Sequence, residues 1–135
     1  MACPPDYLPG VPFWRAALQA QEILLVCGAQ YVRQSHHNRA RVRTPTGAQW
    51  LTIPVRRGQL GKSIAETEIS PEGAWWRHHT KALRYNYGST PFYEHLMPEL
   101  EPLLSEEARR LSEVTVPALR VMARWLGCQA GIREV

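Results

Sequence analysis

No acidic residue stands between Glu22 and Glu66. The same stretch holds seven cations: Arg33, Arg39, Arg41, Arg43, Arg56, Arg57 and Lys62. With no carboxylate nearby in sequence, this segment is expected to face anions. Cysteine is scarce. Cys3, Cys27 and Cys128 are odd in number and share no CxxC spacing, which speaks against a zinc ribbon or a disulfide framework. Reduced thiols and a cytoplasmic setting are the expectation. Long apolar runs are missing as well. The stretch from Ile23 to Val26 is strand-sized, far below the roughly 18 residues of a membrane helix. The N-terminus lacks the basic start and apolar run of a signal peptide. The histidines form no HExxH or HxxxH pattern. The adjacent pairs His36-His37 and His78-His79 diverge by about 100° if helical, so no metal site is expected, and no cofactor is indicated.

What is present fits one domain of 135 residues, 44% hydrophobic and 21% charged. The net charge of +4 is concentrated in the first half. Residues 66 to 113 carry nine acids against five bases. The segment around Met1 to Cys3 reads as a first strand, stopped by Pro4 and Pro5. Tyr7-Leu8-Pro9-Gly10 reads as a turn. Pro12 suits the first turn of a helix running to about Gln21. Ile23 to Cys27 reads as a buried strand ended by Gly28. Strand, helix and strand in that order imply a βαβ start and parallel pairing.

Farther on, Pro45-Thr46-Gly47 separates two alternating runs, so residues 40–44 and 48–55 are expected to form an antiparallel hairpin. Residues 64–69 are expected as a strand. Ser70-Pro71 is expected to start a helix reaching about Tyr87. A short helix follows from Phe92 to Met97, broken or restarted at Pro98. Another begins at Ser105, and a last one at Pro117, ended by Gly127. The fold class is therefore α/β: a small sheet with a βαβ-type start, a β-hairpin insertion and a helical C-terminal part. No repeat or low-complexity linker divides the chain.

Several residues now point to a family. Tyr7-Leu8-Pro9, Gln30-Tyr31, Asn38-Arg39, Trp50-Leu51-Thr52-Ile53-Pro54-Val55, Ile64 with Glu66 and Ile69, Trp76-Arg77 with His79, and Tyr87 with Pro91-Phe92 occur in matching order and spacing. On these residues the chain resembles the WbqC-like proteins of bacterial surface-polysaccharide (O-antigen) gene clusters, over roughly residues 3 to 127. The resemblance implies a single WbqC-like domain over 1–135, equal to the N-terminal half of the usual family length. It also implies a role in building modified sugars or their carriers. Two departures stand out: Gly10-Val11-Pro12-Phe13-Trp14 replaces an aromatic-rich segment, and Cys27-Gly28-Ala29 replaces acidic residues before the Gln-Tyr pair. The opening strand, Pro-rich turn, helix and strand also look like the start of HIGH-type nucleotidyltransferase folds, without their histidines after the first strand.

Asn38, Arg39 and Arg41 are the first candidates for substrate binding. Arginine offers paired planar donors to phosphate or carboxylate, and asparagine adds a neutral donor and acceptor. The alternative is a solvated strand face that discourages aggregation. Gln30 and Tyr31 follow the buried strand, where open α/β sheets gather ligands, and Tyr7 on the preceding loop is expected to line the same crevice. The alternative for the tyrosines is packing at the rim. His79 is the candidate general base, with Glu66 or Glu68 as its partner. Cys27 reads as a small core residue rather than a nucleophile. Trp75, Trp76, Leu83 and Tyr87 read as core, and Trp50 to Val55 mostly so. The partner expected is an anionic small molecule, a sugar phosphate or nucleotide sugar. The competing readings are a catalytically inactive partner subunit and a nucleic-acid-binding module. Arg33, Arg43, Trp50 and Arg56 interleave charge and aromatics as stacking platforms do, but no nucleic-acid motif appears and +4 is modest. The last helix, with Leu119, Met122 and Leu126 on one stripe, either covers the sheet or pairs with a second copy as a homodimer.

Overall fold

The computed structural model describes all 135 residues. Strand β1 (Ala2–Cys3) leads through the Pro-rich turn into helix α1 (Val11–Ala17), and β2 (Glu22–Leu25) follows. β1 and β2 pair in parallel, with Ala2 opposite Leu24 and Cys3 opposite Leu25, so the βαβ start is present. α1 ends earlier than Gln21. The amides of Gln19 and Ala20 bond three residues back, which tightens the chain before it enters β2.

The alternating run folds as an antiparallel hairpin of β3 (Arg39–Thr44) and β4 (Gly47–Thr52), in register from Arg39–Thr52 to Thr44–Gly47. The turn is Pro45-Thr46, and Gly47 holds φ +145°, outside the comfortable range of other residues. Ala40, Val42 and Leu51 bury one face, while Arg41, Arg43 and Trp50 stay exposed on the other.

The strand expected over 64–69 forms only in part. Ile64–Glu66 is a 3-10 turn. The hydroxyl of Ser63 accepts from the Glu66 amide, and the Glu66 carboxylate accepts from the Ser63 amide. This reciprocal cap, an S-x-x-E pattern, outweighs the β-branched residues nearby. Only Glu68 and Ile69 pair as strand, with Arg110 and Val55. That pairing also explains the late start of helix α2 (Trp75–Tyr87). The Ser70 amide is held by the Pro54 carbonyl at 2.8 Å, and Gly73 and Ala74 follow in left-handed conformations (φ +84° and +47°). The proposed cap at Ser70 is overridden by tertiary pairing.

Helices α3 (Tyr93–Leu100) and α4 (Ser112–Trp125) each contain a proline, Pro98 and Pro117. The sequence placed breaks there. A proline inside a helix costs roughly 3 kcal/mol; burial of Val114, Val116, Leu119, Val121 and Ala123 along α4 offsets it, at about 1.5 kcal/mol or more for each large side chain. The helix expected from Ser105 is absent. Residues 108–111 run beside 67–69 instead, through Ile69 N to Arg109 O and Leu111 N to Thr67 O. The Glu113 carboxylate accepts from the amides of Arg109 and Arg110.

A final strand, β5 (Gly131–Glu134), pairs in parallel with β2, giving the order β1-β2-β5. Sequence reading missed it because Gly131-Ile132-Arg133-Glu134 carries one apolar residue. Its contacts are polar: Arg133 to Glu22 at 2.7 Å and Arg120 to the Ile132 carbonyl at 2.9 Å. Two cores result. One joins the inner face of the hairpin to α2, α3 and the start of α4. The other packs Trp14, Ile23, Leu25, Val116, Leu119 and Ala123. Leu119 on α4 therefore covers the parallel sheet, while Met122 on the same stripe is half-buried and Leu126 stays exposed. No helix is long and apolar enough to cross a membrane.

Candidate functional site

Tyr7 and His79 meet in the core although 72 residues separate them. Tyr7 is fully buried and His79 is 1% exposed. The His79 Nε2 lies 3.0 Å from the Thr52 carbonyl, which can only accept. Nε2 therefore carries the proton, Nδ1 accepts, and the Tyr7 hydroxyl donates to it at 2.8 Å. The Trp75 ring stands nearly perpendicular to the imidazole at 5.2 Å. Burial lowers the His79 pKa to about 4, reinforced by His78 and opposed by the Thr52 contact. Burial also raises the Tyr7 phenol. Both groups are neutral, mutually satisfied and sealed from solvent, so neither reaches a surface ligand in this arrangement. The Tyr7 amide also donates to the His36 carbonyl at 2.9 Å. Together the two residues pin the 31–38 loop and the end of β4.

That loop is tied internally. Ser35 Oγ donates to the Val32 carbonyl at 2.6 Å, and His37 Nδ1 accepts from the Val32 amide at 3.2 Å. Asp6 stands 4.0 Å from His37 Nε2. Burial raises the Asp6 pKa and lowers that of His37. Gln34 adopts φ +57°, unusual outside glycine, and its carbonyl accepts from Arg39 at 2.9 Å.

Between this loop and the hairpin end lies a cleft of about 330 Å³, lined by Tyr31, Arg33, Gln34, Asn38, Arg39 and Thr52 among others. Tyr31 is 6% exposed, and burial raises its phenol while Arg33 pulls it back, so it is a neutral donor. Asn38 is 7% exposed. Its Nδ2 donates to the Ile53 carbonyl at 2.9 Å, which fixes the amide orientation and leaves Oδ1 as an acceptor with no partner. Next to it in sequence, Arg39 Nε is a buried donor with no partner. The Arg39 guanidinium rests 4.2 Å above the Trp50 ring.

Of the candidates read from the sequence, Tyr31, Asn38 and Arg39 come together here. Arg41 stands farther along β3, with its guanidinium 6.0 Å from Trp50. It borders a separate, mainly apolar groove of about 350 Å³ that includes Leu8, Pro9, Tyr93 and Trp125. Gln30 is exposed and pairs with Ser63 through its backbone. Glu66 is exposed on its 3-10 turn, and hydrogen bonds from the backbone and hydroxyl of Ser63 lower its pKa. The hydrogen bonds of His79 go to Tyr7 and Thr52 rather than to Glu66. The Cys27 thiol is raised by burial and by Glu134, unlike an activated nucleophile. Gln34 was not singled out in sequence; Arg33 was named only within the acid-free charge run and the nucleic-acid reading, and Thr52 only within the family motif, neither as a substrate-binding candidate.

The chain is 28% identical over 124 residues to the uncharacterized protein Rv1507c of Mycobacterium tuberculosis (strain ATCC 25618 / H37Rv). That alignment covers 90% of this chain and 53% of the relative, so the chain spans about half the length of the relative it matches. No solved structure matches. The WbqC-like protein family matches residues 4–134, nearly the whole length, and the chain belongs to that family.

Proposed function

We propose that the chain binds a phosphate-bearing sugar or nucleotide in the Tyr31–Asn38–Arg39 cleft, as an enzyme or enzyme remnant in bacterial surface-polysaccharide biosynthesis. The observation that carries this reading is the pair of buried orphans, the Asn38 Oδ1 acceptor and the Arg39 Nε donor, at one cleft wall. An unsatisfied buried polar group costs about 1–3 kcal/mol, and a ligand presenting both a donor and an anionic acceptor relieves both. A sugar hydroxyl suits Asn38 Oδ1. A phosphate oxygen suits Arg39, after a small rotation of its side chain, with Arg33 and the Tyr31 hydroxyl beside it. Tyr7 and His79 act as positioning residues beneath the cleft floor, since His79 holds the Thr52 carbonyl. The βαβ start supports a nucleotidyltransferase-like architecture by analogy alone. A thermal-shift panel of glucose 1-phosphate, UDP-glucose, free glucose and inorganic phosphate tests the reading. The phosphorylated sugars are expected to raise Tm most, and Arg39→Ala to abolish the rise. Equal shifts in wild type and variant remove this site from consideration.

A further inference from the structure

A second cleft, of about 260 Å³, adjoins the first. Tyr31, Arg33 and Val55 line both, and Arg56, Arg57 and Gln59 complete the second. Its wall is fixed by hydrogen bonds. Gln59 is 6% exposed, its Oε1 accepts from the Glu68 amide at 3.0 Å, and the Tyr31 amide donates to the Lys62 carbonyl at 2.9 Å. Gly58 turns the loop at φ +80°, which places Arg56 and Arg57 at one opening.

The cations here lack counterions. The arginine–carboxylate pairs of the molecule engage Arg84, Arg120, Arg124 and Arg133, leaving Arg33, Arg56 and Arg57 free. Three like charges around one concavity repel one another unless an anion enters. Arg33 belongs to both clefts, so one anionic group beside Asn38 and Arg39 and a second beside Arg56 and Arg57 would share it.

From this geometry we infer that the ligand carries two linked phosphates: a diphosphate ester saddles Tyr31, one phosphate in each cleft. This inference rests on the binding reading above and specifies its ligand class. Because one arginine serves both phosphates, the second phosphate adds affinity through Arg56 and Arg57 without a separate site.

The test compares inorganic phosphate with inorganic pyrophosphate by 31P NMR titration in 150 mM salt. In wild type, pyrophosphate is expected to bind at least tenfold tighter. The Arg56→Ala/Arg57→Ala variant, altered only at exposed positions, is expected to shrink that advantage to within about threefold and to leave phosphate affinity within about twofold. Arg77→Ala/Lys81→Ala, which removes the same charge from α2, controls for net charge and is expected to keep the tenfold preference. UDP-glucose is expected to displace bound pyrophosphate. A preference that survives Arg56→Ala/Arg57→Ala, one reduced equally by the α2 control, or a failure of UDP-glucose to compete overturns the diphosphate inference. Phosphate binding that Arg39→Ala leaves untouched overturns the earlier assignment of the first cleft instead.

Discussion

Acidification should unfold this protein through His79. The imidazole is 1% exposed, donates to the Thr52 carbonyl and accepts from the Tyr7 hydroxyl. Burial, with His78 beside it, favours the neutral ring and outweighs the Thr52 contact, which favours the charged one. Its pKa falls from 6.5 to about 4, so between those values the unfolded chain binds a proton that the folded chain refuses. Stability is full above the unfolded pKa and declines as pH drops through the window. A shift of that size corresponds to about 3 kcal/mol between pH 7 and pH 4, a large part of the 5–15 kcal/mol typical of a domain. His37 acts in the same direction through its lowered pKa, while the raised pKa of Asp6 opposes it. Urea unfolding followed by tryptophan fluorescence at pH 7.0, 6.0, 5.0 and 4.5 should therefore be run on wild type and His79→Gln. The variant keeps a donor for Thr52 but cannot take up the proton. It is expected to start less stable at pH 7 and to lose about 2–3 kcal/mol less on acidification. Parallel pH curves for the two proteins would refute the reasoning. If the variant does not fold, the His79 ring resonances in wild type decide: an NMR midpoint near 6.5 refutes it, and no titration above pH 5 agrees with it.

Two other outcomes follow from packing and capping. Leu119 is fully buried among Ile23, Leu25 and Ala123, and Leu119→Ala is expected to cost about 2–5 kcal/mol in urea unfolding; a loss below 1 kcal/mol would mean that α4 does not cover the sheet as described. Ser63→Ala removes the hydroxyl that accepts from the Glu66 amide and donates to its carboxylate, and is expected to lower Tm by a few degrees. The lowered pKa of Glu66 contributes stability above pH 4.5 that is lost as pH falls below it, so the variant's thermal scans should show a weaker acid dependence in that range.

Local pattern carried much of the fold. Alternation of Arg39, Arg41 and Arg43 with Ala40 and Val42 identified the hairpin, because a two-residue period fixes which face each side chain takes. Ile23 to Leu25 was legible as a buried strand, and Pro12 as a helix start. β5 was not legible, since four mostly polar residues carry no period and pair only because α4 returns the chain beside β2. Pro98 and Pro117 misled for the converse reason: helix propensity is local, and the burial that overrides it comes from distant residues.

The sequence by itself determined the family, the parallel start, the hairpin and the acid-free run that marks an anion-facing segment. Only the tertiary structure decided which residues of that segment face a cleft. Tyr7, a crevice candidate in sequence, met His79 in the core; Glu66 became a cap; Arg33 joined Tyr31, Asn38 and Arg39. Composition and periodicity act over a few residues, whereas burial, desolvation and an unpaired hydrogen-bonding group depend on which distant segments pack together.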